Sequence, residues 1–486
     1  MIRSQREAAV ERVAPATRGL LLGSLLALSL VIAACTRADP PDVLLIVVDT
    51  LRVDRLGAYG NERGLTPFLD SLAERSYVFQ NAFAQSSWTS PSVASLLTSR
   101  FQSQHGVLHF RSVLADAEVT LPELLKQRGY ATAGFCANWL IANNRGFGQG
   151  YDEYEVPGDP PQPVRAAELN RRALAWLESL PRDPRPPAFL YLHYMEPHGP
   201  YTPDEFALDQ VFEARRRPST AATKRILFLN RLKTRMDRNE DEAIDGKRAL
   251  RRIQDLYDAE ILSVDRGLGA LLSELGERGL LQNTLVVFTS DHGEEFLDHG
   301  WFGHSQSLYD ELIHVPLFIH VPGQSERIDV EQVVSLIDVA PTILEWLRGE
   351  PAASFEGHSL GPLMQSAGGG MPGVPRHERP GHDAGEPFAI SELVHGLGKR
   401  VTPHQVAIVM DSGKLIAGLH GEREFYDRAA DPGEREPTSL ADRERQQLEA
   451  ALHSFASDVN RSTGPRRTRP LDKITRQQLR ALGYAE

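Results

Sequence analysis

The chain has 486 residues, 41% of them hydrophobic and 24% charged. That is enough to bury a large core and allows two or three domains. The net charge of −12 excludes the broad basic field of a nucleic-acid binder. An anionic substrate would need positive potential made locally, by a metal or by histidines and arginines in the site.

The N-terminus reads as an address. Arg3, Arg6, Arg12 and Arg18 precede an apolar stretch from Gly19 to Ala34. It is short for a spanning helix and fits the core of a signal peptide. It ends Ile32-Ala33-Ala34-Cys35, which resembles a bacterial lipobox. The reading is a lipoprotein signal peptide over 1–34, a lipidated Cys35 and a tether over 35–42. An uncleaved signal anchor is the alternative. Either way the bulk of the chain is expected in the cell envelope, lipid-anchored to a membrane and facing the periplasm or exterior. With Cys35 lipidated, Cys136 has no intramolecular partner and no disulfide framework is expected.

Val43-Leu44-Leu45-Ile46-Val47-Val48 is a short apolar run that ends on Asp49. It reads as a strand buried on both faces of a parallel sheet. Ligands in such sheets bind beyond the carboxyl ends of the strands, so Asp49 is either a site residue or a turn cap. The device recurs at Leu285–Ser290, which runs into Asp291-His292-Gly293. Thr66-Pro67 opens a helix, with Thr66 as its N-cap. Tyr77-Val78-Phe79 is a strand. In Ser86–Thr98, Pro91 marks a helix start and places Thr89 just before it. Taken alone, the segment reads as an N-cap at Thr89 or Ser90. Beside a divalent cation the Thr89 hydroxyl would be a nucleophile.

Thr120-Leu121-Pro122-Glu123 is a capping box. Tyr130–Phe135 is a strand ending near Asn138, and 143–154 reads as a loop. Arg165–Leu180 is an amphipathic helix. Ala188–His193 is a buried strand running into Glu196-Pro197-His198. Two His and one Glu at a strand end could ligate a metal or grip an anion. Residues 205–252 form a charged insertion. A long helix follows from Ile253, on which Tyr257, Asp258 and Asp265 read as structural. His299 and His304 follow Asp291-His292 closely. From Pro351 the composition shifts, and 351–387 reads as a linker or loop. Antiparallel strands within 388–426 and a helix from about Arg443 to Val459 complete a C-terminal α+β subdomain over 388–461. Residues 462–486 are a tail.

The order of Asp49-Thr-Leu-Arg-Val-Asp, Pro91-Ser-Val-Ala-Ser-Leu-Leu-Thr, Glu196-Pro-His and Ser290-Asp-His-Gly-Glu resembles a sulfatase of the alkaline phosphatase superfamily. Tyr309-Asp-Glu-Leu-Ile-His-Val-Pro and Phe425-Tyr-Asp-Arg-Ala-Ala-Asp-Pro-Gly-Glu-Arg belong to the same pattern. The resemblance implies an α/β fold: a large mixed sheet with helices on both faces over 43–350, and a small C-terminal antiparallel sheet plus helix. It implies a divalent cation (Ca, Mg, Mn or Zn) on Asp49, Asp291 and His292. It places Thr89 at the nucleophile position; on chemical grounds His304 or His198 would protonate the leaving alkoxide. His193, Asn138 and Ser305 fall in substrate-anion positions, and Glu196, His198 and His304 are candidate ligands of a second metal.

The departures are specific. Sulfatases carry Cys or Ser where Thr89 stands, oxidised to formylglycine, and Thr cannot be converted. Val93 replaces the signature Arg, and Thr50 replaces the second Asp of the usual metal-binding pair. A direct Thr nucleophile with an Asp-His pair is the pattern of the superfamily's phosphodiesterases and phosphoglycerol transferases. The expected function is metal-dependent hydrolysis of a sulfate- or phosphate-type ester. The alternatives are a transferase of that second pattern and an inactive, lipid-anchored binder of anionic glycans.

Overall fold

Asp42–Val48 forms β1, and it lies at the centre of an eight-stranded sheet. Its side chains alternate between two cores. Leu44, Ile46 and Val48 join one apolar cluster, while Val43, Leu45 and Val47 join the other. Fully burying such a side chain contributes about 1.5–3 kcal/mol, which is why this run is apolar on both faces. The structure is a computed structural model that describes residues 40–157, 164–212, 242–368, 388–394, 405–418, 421–438, 440–459 and 467–469. The signal peptide, Cys35, residues 213–241 of the insertion, residues 369–387 of the linker and the tail beyond 469 lie outside the described residues. The described residues from Pro41 onward form one compact unit.

The other strands of the large sheet are β2 (Tyr77–Phe83), β3 (Ala131–Cys136), β4 (Glu153–Glu155), β5 (Ala188–Tyr194), β6 (Thr284–Ser290), β7 (His314–His320) and β8 (Ile328–Ser335). Their spatial order is β8-β2-β7-β6-β1-β5-β3-β4. Only β7 runs against the rest: it pairs antiparallel with β2 and β6, and every other pairing is parallel. The sheet is therefore mixed, as the resemblance implies. The edge strands β4 and β8 carry no sequence expectation. β4 is short, polar and half-exposed, so the loop expected over 143–154 gives way to a strand only where β3 supplies the pairing.

Helices cover both faces. The main ones are α1 (Pro67–Ala73), α2 (Thr89–Thr98), α3 (Leu121–Gln127), α4 (Ala166–Ser179), α5 (Glu242–Glu277), α6 (Val339–Trp346) and α7 (Asp442–Val459). The capping box at α3 forms as expected, with the Thr120 N–H donating to Glu123. α5 begins at Glu242 rather than Ile253. The apolar periodicity reports contact with the core, which starts at Ile253, and Lys247, Arg248, Arg251 and Arg252 before it are exposed. The three polar residues expected to be structural on α5 are so employed. Asp265 accepts the Phe68 and Leu69 N–H groups at the start of α1. Asp258 pairs with Arg55 and Arg63, and Tyr257 reaches the end of β1.

The C-terminal sheet is β9 (Phe388–Leu393), β10 (Gln405–Met410), β11 (Lys414–Gly418) and β12 (Arg423–Tyr426), antiparallel throughout. It shares a core with the large sheet: Ala389, Leu393, Ala407, Val409 and Ile416 pack with Phe83, Leu312 and Val333.

Candidate active site

The register of the central strands assembles the site. Val48 lies opposite both Tyr194 and Ser290, and Val47 lies opposite His193. Asp49, Asp291 and His193 therefore emerge together at the carboxyl end of the sheet. One ligand atom from each of the three lies within 4.8 Å of the other two. His292 Nε2 stands 3.6 Å from Asp49 Oδ1 and 3.6 Å from Asp291 Oδ2. His193, expected at the substrate anion, thus joins Asp49 and Asp291 in the group that could hold a metal, with His292 beside it.

Backbone geometry aims these groups. Asp291 Oδ1 accepts the Thr50 and His292 N–H groups. Thr50 has φ of 57°, a left-handed conformation that strains a β-branched residue. Its hydroxyl donates to the Asp49 carbonyl at 2.7 Å, and Tyr257 Oη donates to the Thr50 carbonyl at 2.7 Å. The Arg52 N–H donates to the same phenol oxygen. Ser92 Oγ donates to the Asp291 carbonyl at 2.6 Å. Ser92 and Ser290 support the site from inside the Pro91-Ser and Ser290-Asp-His-Gly-Glu segments, whereas Tyr257 belongs to no motif. Tyr191, whose hydroxyl is 2.9 Å from His193 Nδ1, is legible only as the neighbour two residues away on the same strand face.

Thr89 is the first residue of α2, and the N-cap is Trp88, whose side chain makes no capping bond. The expectation that Thr89 lies before the helix is corrected by one position, and the cap reading falls with it. The Trp88 backbone is extended, the helix begins at Thr89, and every residue of the helix is buried. Thr89 Oγ1 lies 3.3 Å from His292 Nε2 and 3.5 Å from Asp49 Oδ2. Asn138, just beyond β3, donates from Nδ2 to Asp49 Oδ2 at 2.6 Å and lies 3.3 Å from Thr89 Oγ1.

Acceptors fix the imidazoles. His292 Nδ1 faces the Gly293 carbonyl at 2.9 Å, and His198 Nδ1 faces the Gly199 carbonyl at 2.6 Å. A carbonyl only accepts, so each Nδ1 carries the proton and each neutral ring presents an Nε2 lone pair. His304 Nδ1 is 3.1 Å from Glu294 Oε1. The His304 ring centroid is 4.6 Å from that of His292 and 5.0 Å from that of His198. Burial, then the neighbouring His304, brings His292 down to about 3, and burial lowers His198 as well.

The carboxylates divide. Burial raises the Asp49 carboxyl, but the His193 hydrogen bond and the neighbouring imidazoles of His198 and His292 outweigh it and hold Asp49 below the usual range. Burial, then the Asp49 charge, pushes Asp291 well up. Two buried carboxylates this close do not both ionise without a compensating charge. Asp49 Oδ1 and Asp291 Oδ2 are also buried without a hydrogen-bond partner. Oxygen and imidazole donors with orphaned lone pairs and surplus negative charge fit a divalent cation.

Two further expected residues are held through other contacts. Glu196 Oε1 accepts the Ala166 N–H at 3.1 Å and lies 3.7 Å from Arg165. That oxygen serves the start of α4, while Glu196 Oε2 is buried without a hydrogen-bond partner. Ser305 has φ of 76°, and its N–H donates to the Ser87 carbonyl at 3.0 Å. Its hydroxyl is buried without a partner.

The family model described as Sulfatase matches residues 41–350. The chain is 31% identical to human N-sulphoglucosamine sulphohydrolase over 361 residues, covering 70% of this chain and 69% of the relative. It is 28% identical to an arylsulfatase of Clostridium perfringens over 379 residues, covering 67% and 78%. Among solved structures, BT4656 in complex with D-glucosamine-2-N,6-O-disulfate superposes with a TM-score of 0.71 at 21% identity, covering 87% of this chain and 99% of that one. A phosphonate monoester hydrolase of Agrobacterium radiobacter superposes with a TM-score of 0.64 at 20% identity, covering 89% and 100%. With more than half of its length inside the family model and a relative above 30% identity, the chain belongs to the sulfatase family of the alkaline-phosphatase-like superfamily and is a hydrolase acting on ester bonds.

Proposed function

We propose that the chain is a metal-dependent hydrolase of sulfate- or phosphate-type esters in which the Thr89 hydroxyl, unmodified, is the nucleophile. The observation that carries this is the position of Thr89 Oγ1, unused as a cap and 3.3 Å from a buried His292 Nε2 lone pair. A divalent cation on Asp49, Asp291 and His292, with His193 alongside, would supply charge stabilisation to the alkoxide and to a non-bridging ester oxygen. The chain's own residues do the rest. Asn138 holds Asp49 and Thr89 at fixed separation. The positive end of α2, where the Thr89 and Ser90 N–H groups have no intrahelical acceptor, favours an anion beside Thr89. Thr89 Oγ1, its proton already lost to solvent, attacks in line; the covalent Thr89 ester forms as the bond to the leaving oxygen breaks and that oxygen departs as an alkoxide. His304, or His198 beside it, gives that alkoxide a proton, and Glu294 offsets the imidazolium charge at His304 Nδ1. Water then cleaves the Thr89 ester with the same histidine as base.

A phosphodiesterase or phosphoglycerol-type transferase with the same Thr nucleophile is the second reading. The Asp291-His292 pair facing Thr89 favours it, as does a neighbour named for phosphonate monoester hydrolysis. A glycan-binding protein without activity would explain the missing formylglycine precursor, but it has no use for paired buried carboxylates with orphaned oxygens. The test is a side-by-side assay of aryl sulfate, aryl phosphate, phosphodiester and phosphonate monoester with Ca²⁺, Mg²⁺, Mn²⁺ and Zn²⁺, on wild type and Thr89→Ala. Wild-type turnover by Thr89→Ala rules out the nucleophile. Absence of bound metal and of all turnover selects the binder.

We also propose that Cys35 carries a lipid that holds the enzyme on the envelope membrane. Mass spectrometry of the membrane-extracted protein tests this, because Cys35→Ala should move the chain to the soluble fraction.

A further inference from the structure

The loop that carries His304 is gripped from two sides. On one side is Arg52, three residues beyond Asp49. Its Nη1 donates to the Glu294 carbonyl at 3.0 Å and to Asp298 Oδ2 at 2.9 Å. Within the loop, Glu295 Oε1 accepts the His299 N–H at 2.9 Å and the Trp301 N–H at 2.7 Å. On the other side is the loop after β12. Arg435 Nη1 donates to the Asp298 carbonyl at 2.7 Å, and Glu434 Oε2 accepts the Asp310 N–H at 2.7 Å. Lys414 on β11, fully buried, bridges Asp310 and Glu434 at 2.7 Å each.

His299 closes this joint. Its ring lies flat on Tyr309, with centroids 3.6 Å apart and planes at 10°. Nδ1 is 2.7 Å from Glu311 Oε1, and Nε2 is 2.8 Å from the Glu434 carbonyl oxygen. A carboxylate and a carbonyl both accept, so the ring must donate from both nitrogens, and only the imidazolium does so. The Glu434 carbonyl is aimed by a left-handed backbone, φ 50°. Such a conformation persists only while its neighbours hold it.

We propose that His299, as an imidazolium, is a positioning residue that clasps the C-terminal loop to the loop bearing His304, so that its deprotonation releases His304 from the reacting ester. The proposal rests on His304 serving as the acid of the proposed function. The charged and titratable groups facing the clasp are Glu295 and Asp298 from its own loop, Arg52 from the end of β1, and Tyr309, Asp310 and Glu311 from the segment before β7. Glu434, Arg435 and Lys414 face it from the C-terminal sheet. Burial works against the charged ring, but Glu311 and its hydrogen bond outweigh burial and raise His299 above its ordinary value. As pH rises through that titration, one nitrogen turns a lone pair on an acceptor and the clasp opens.

Hydrogen–deuterium exchange on the full chain reads this without reference to activity. After correction for intrinsic exchange, the peptide spanning 297–305 should exchange about tenfold faster as pH rises. In His299→Gln it should exchange fast at every pH. Glu311→Gln should move the wild-type transition to lower pH, because the favourable charge is gone. In parallel, His299→Gln should lower kcat about tenfold with KM within about twofold. Wild-type protection that does not change with pH overturns the proposal, and so does an Glu311→Gln transition at the wild-type pH. If His299→Gln does not fold, the wild-type and Glu311→Gln exchange profiles decide. An active Thr89→Ala variant would sink the proposed chemistry but leave the exchange transition readable, so the two failures are distinct.

Discussion

Thr89 Oγ1 lies 3.3 Å from His292 Nε2, and the far nitrogen of that ring is tied to the Gly293 carbonyl at 2.9 Å. The tie fixes which nitrogen faces the hydroxyl. Thr89→Ala should therefore abolish ester cleavage, by at least about a thousandfold, while metal binding stays measurable. Thr89→Ser keeps the oxygen and should retain activity within about tenfold, since only the methyl packing of a buried helix start is lost. Steady-state rates with calorimetric metal titration check both.

The Asp49–Asp291 pair trades stability for function. Asp291 Oδ2 is buried and unpartnered, and burial with the Asp49 charge pushes this carboxyl well up. In chelator, Asp291→Asn should unfold no more easily than wild type, and its amide should stabilise the fold by about 1 kcal/mol by donating toward Asp49. With metal present the order should reverse, because wild type gains binding energy that the variant lacks. Denaturant melts in both conditions check the crossover.

Asp265 titrates near neutrality. Burial outweighs the two N–H bonds from α1 and raises it to about 7. A raised carboxyl means that the folded state holds its proton longer than the unfolded chain. The associated stability is fully present below about pH 4 and is lost as pH rises through 7. Asp265→Asn should flatten this part of the stability profile, by on the order of 2 kcal/mol between its ends. Urea midpoints across that pH range measure it.

Tyr257 supports a strained turn from the middle of α5. Its hydroxyl donates to the Thr50 carbonyl and accepts the Arg52 N–H. Tyr257→Phe leaves both backbone groups unpaired in a buried place, which should cost about 1–3 kcal/mol. Because Thr50 sets the direction of Asp49, kcat should fall about tenfold as well. Retained kcat with lowered stability would show that Thr50 holds Asp49 without help.

The sequence alone determined the parts whose signal is local. β1 and β6 were legible because the middle of a strand buried on both faces must be apolar, and Asp49 and Asp291 stood out as the carboxylates that follow such runs. The capping box at Thr120 and the hairpins of the C-terminal sheet were legible from a few adjacent residues. Tertiary structure alone decided which groups meet. His193 joins Asp49 and Asp291 because the register of β5 against β1 puts Val47 opposite it, and register leaves no mark on either strand. Glu196 sits in the same motif as His198 yet turns to α4, since a bend in a loop costs little and a helix start needs an acceptor. The eleven residues of α5 before Ile253 escaped notice because hydrophobic periodicity records burial rather than helicity. Tyr257 meets Thr50, and His299 meets Glu434, across more than a hundred residues of chain, through hydrogen bonds that exist only once the sheets have packed.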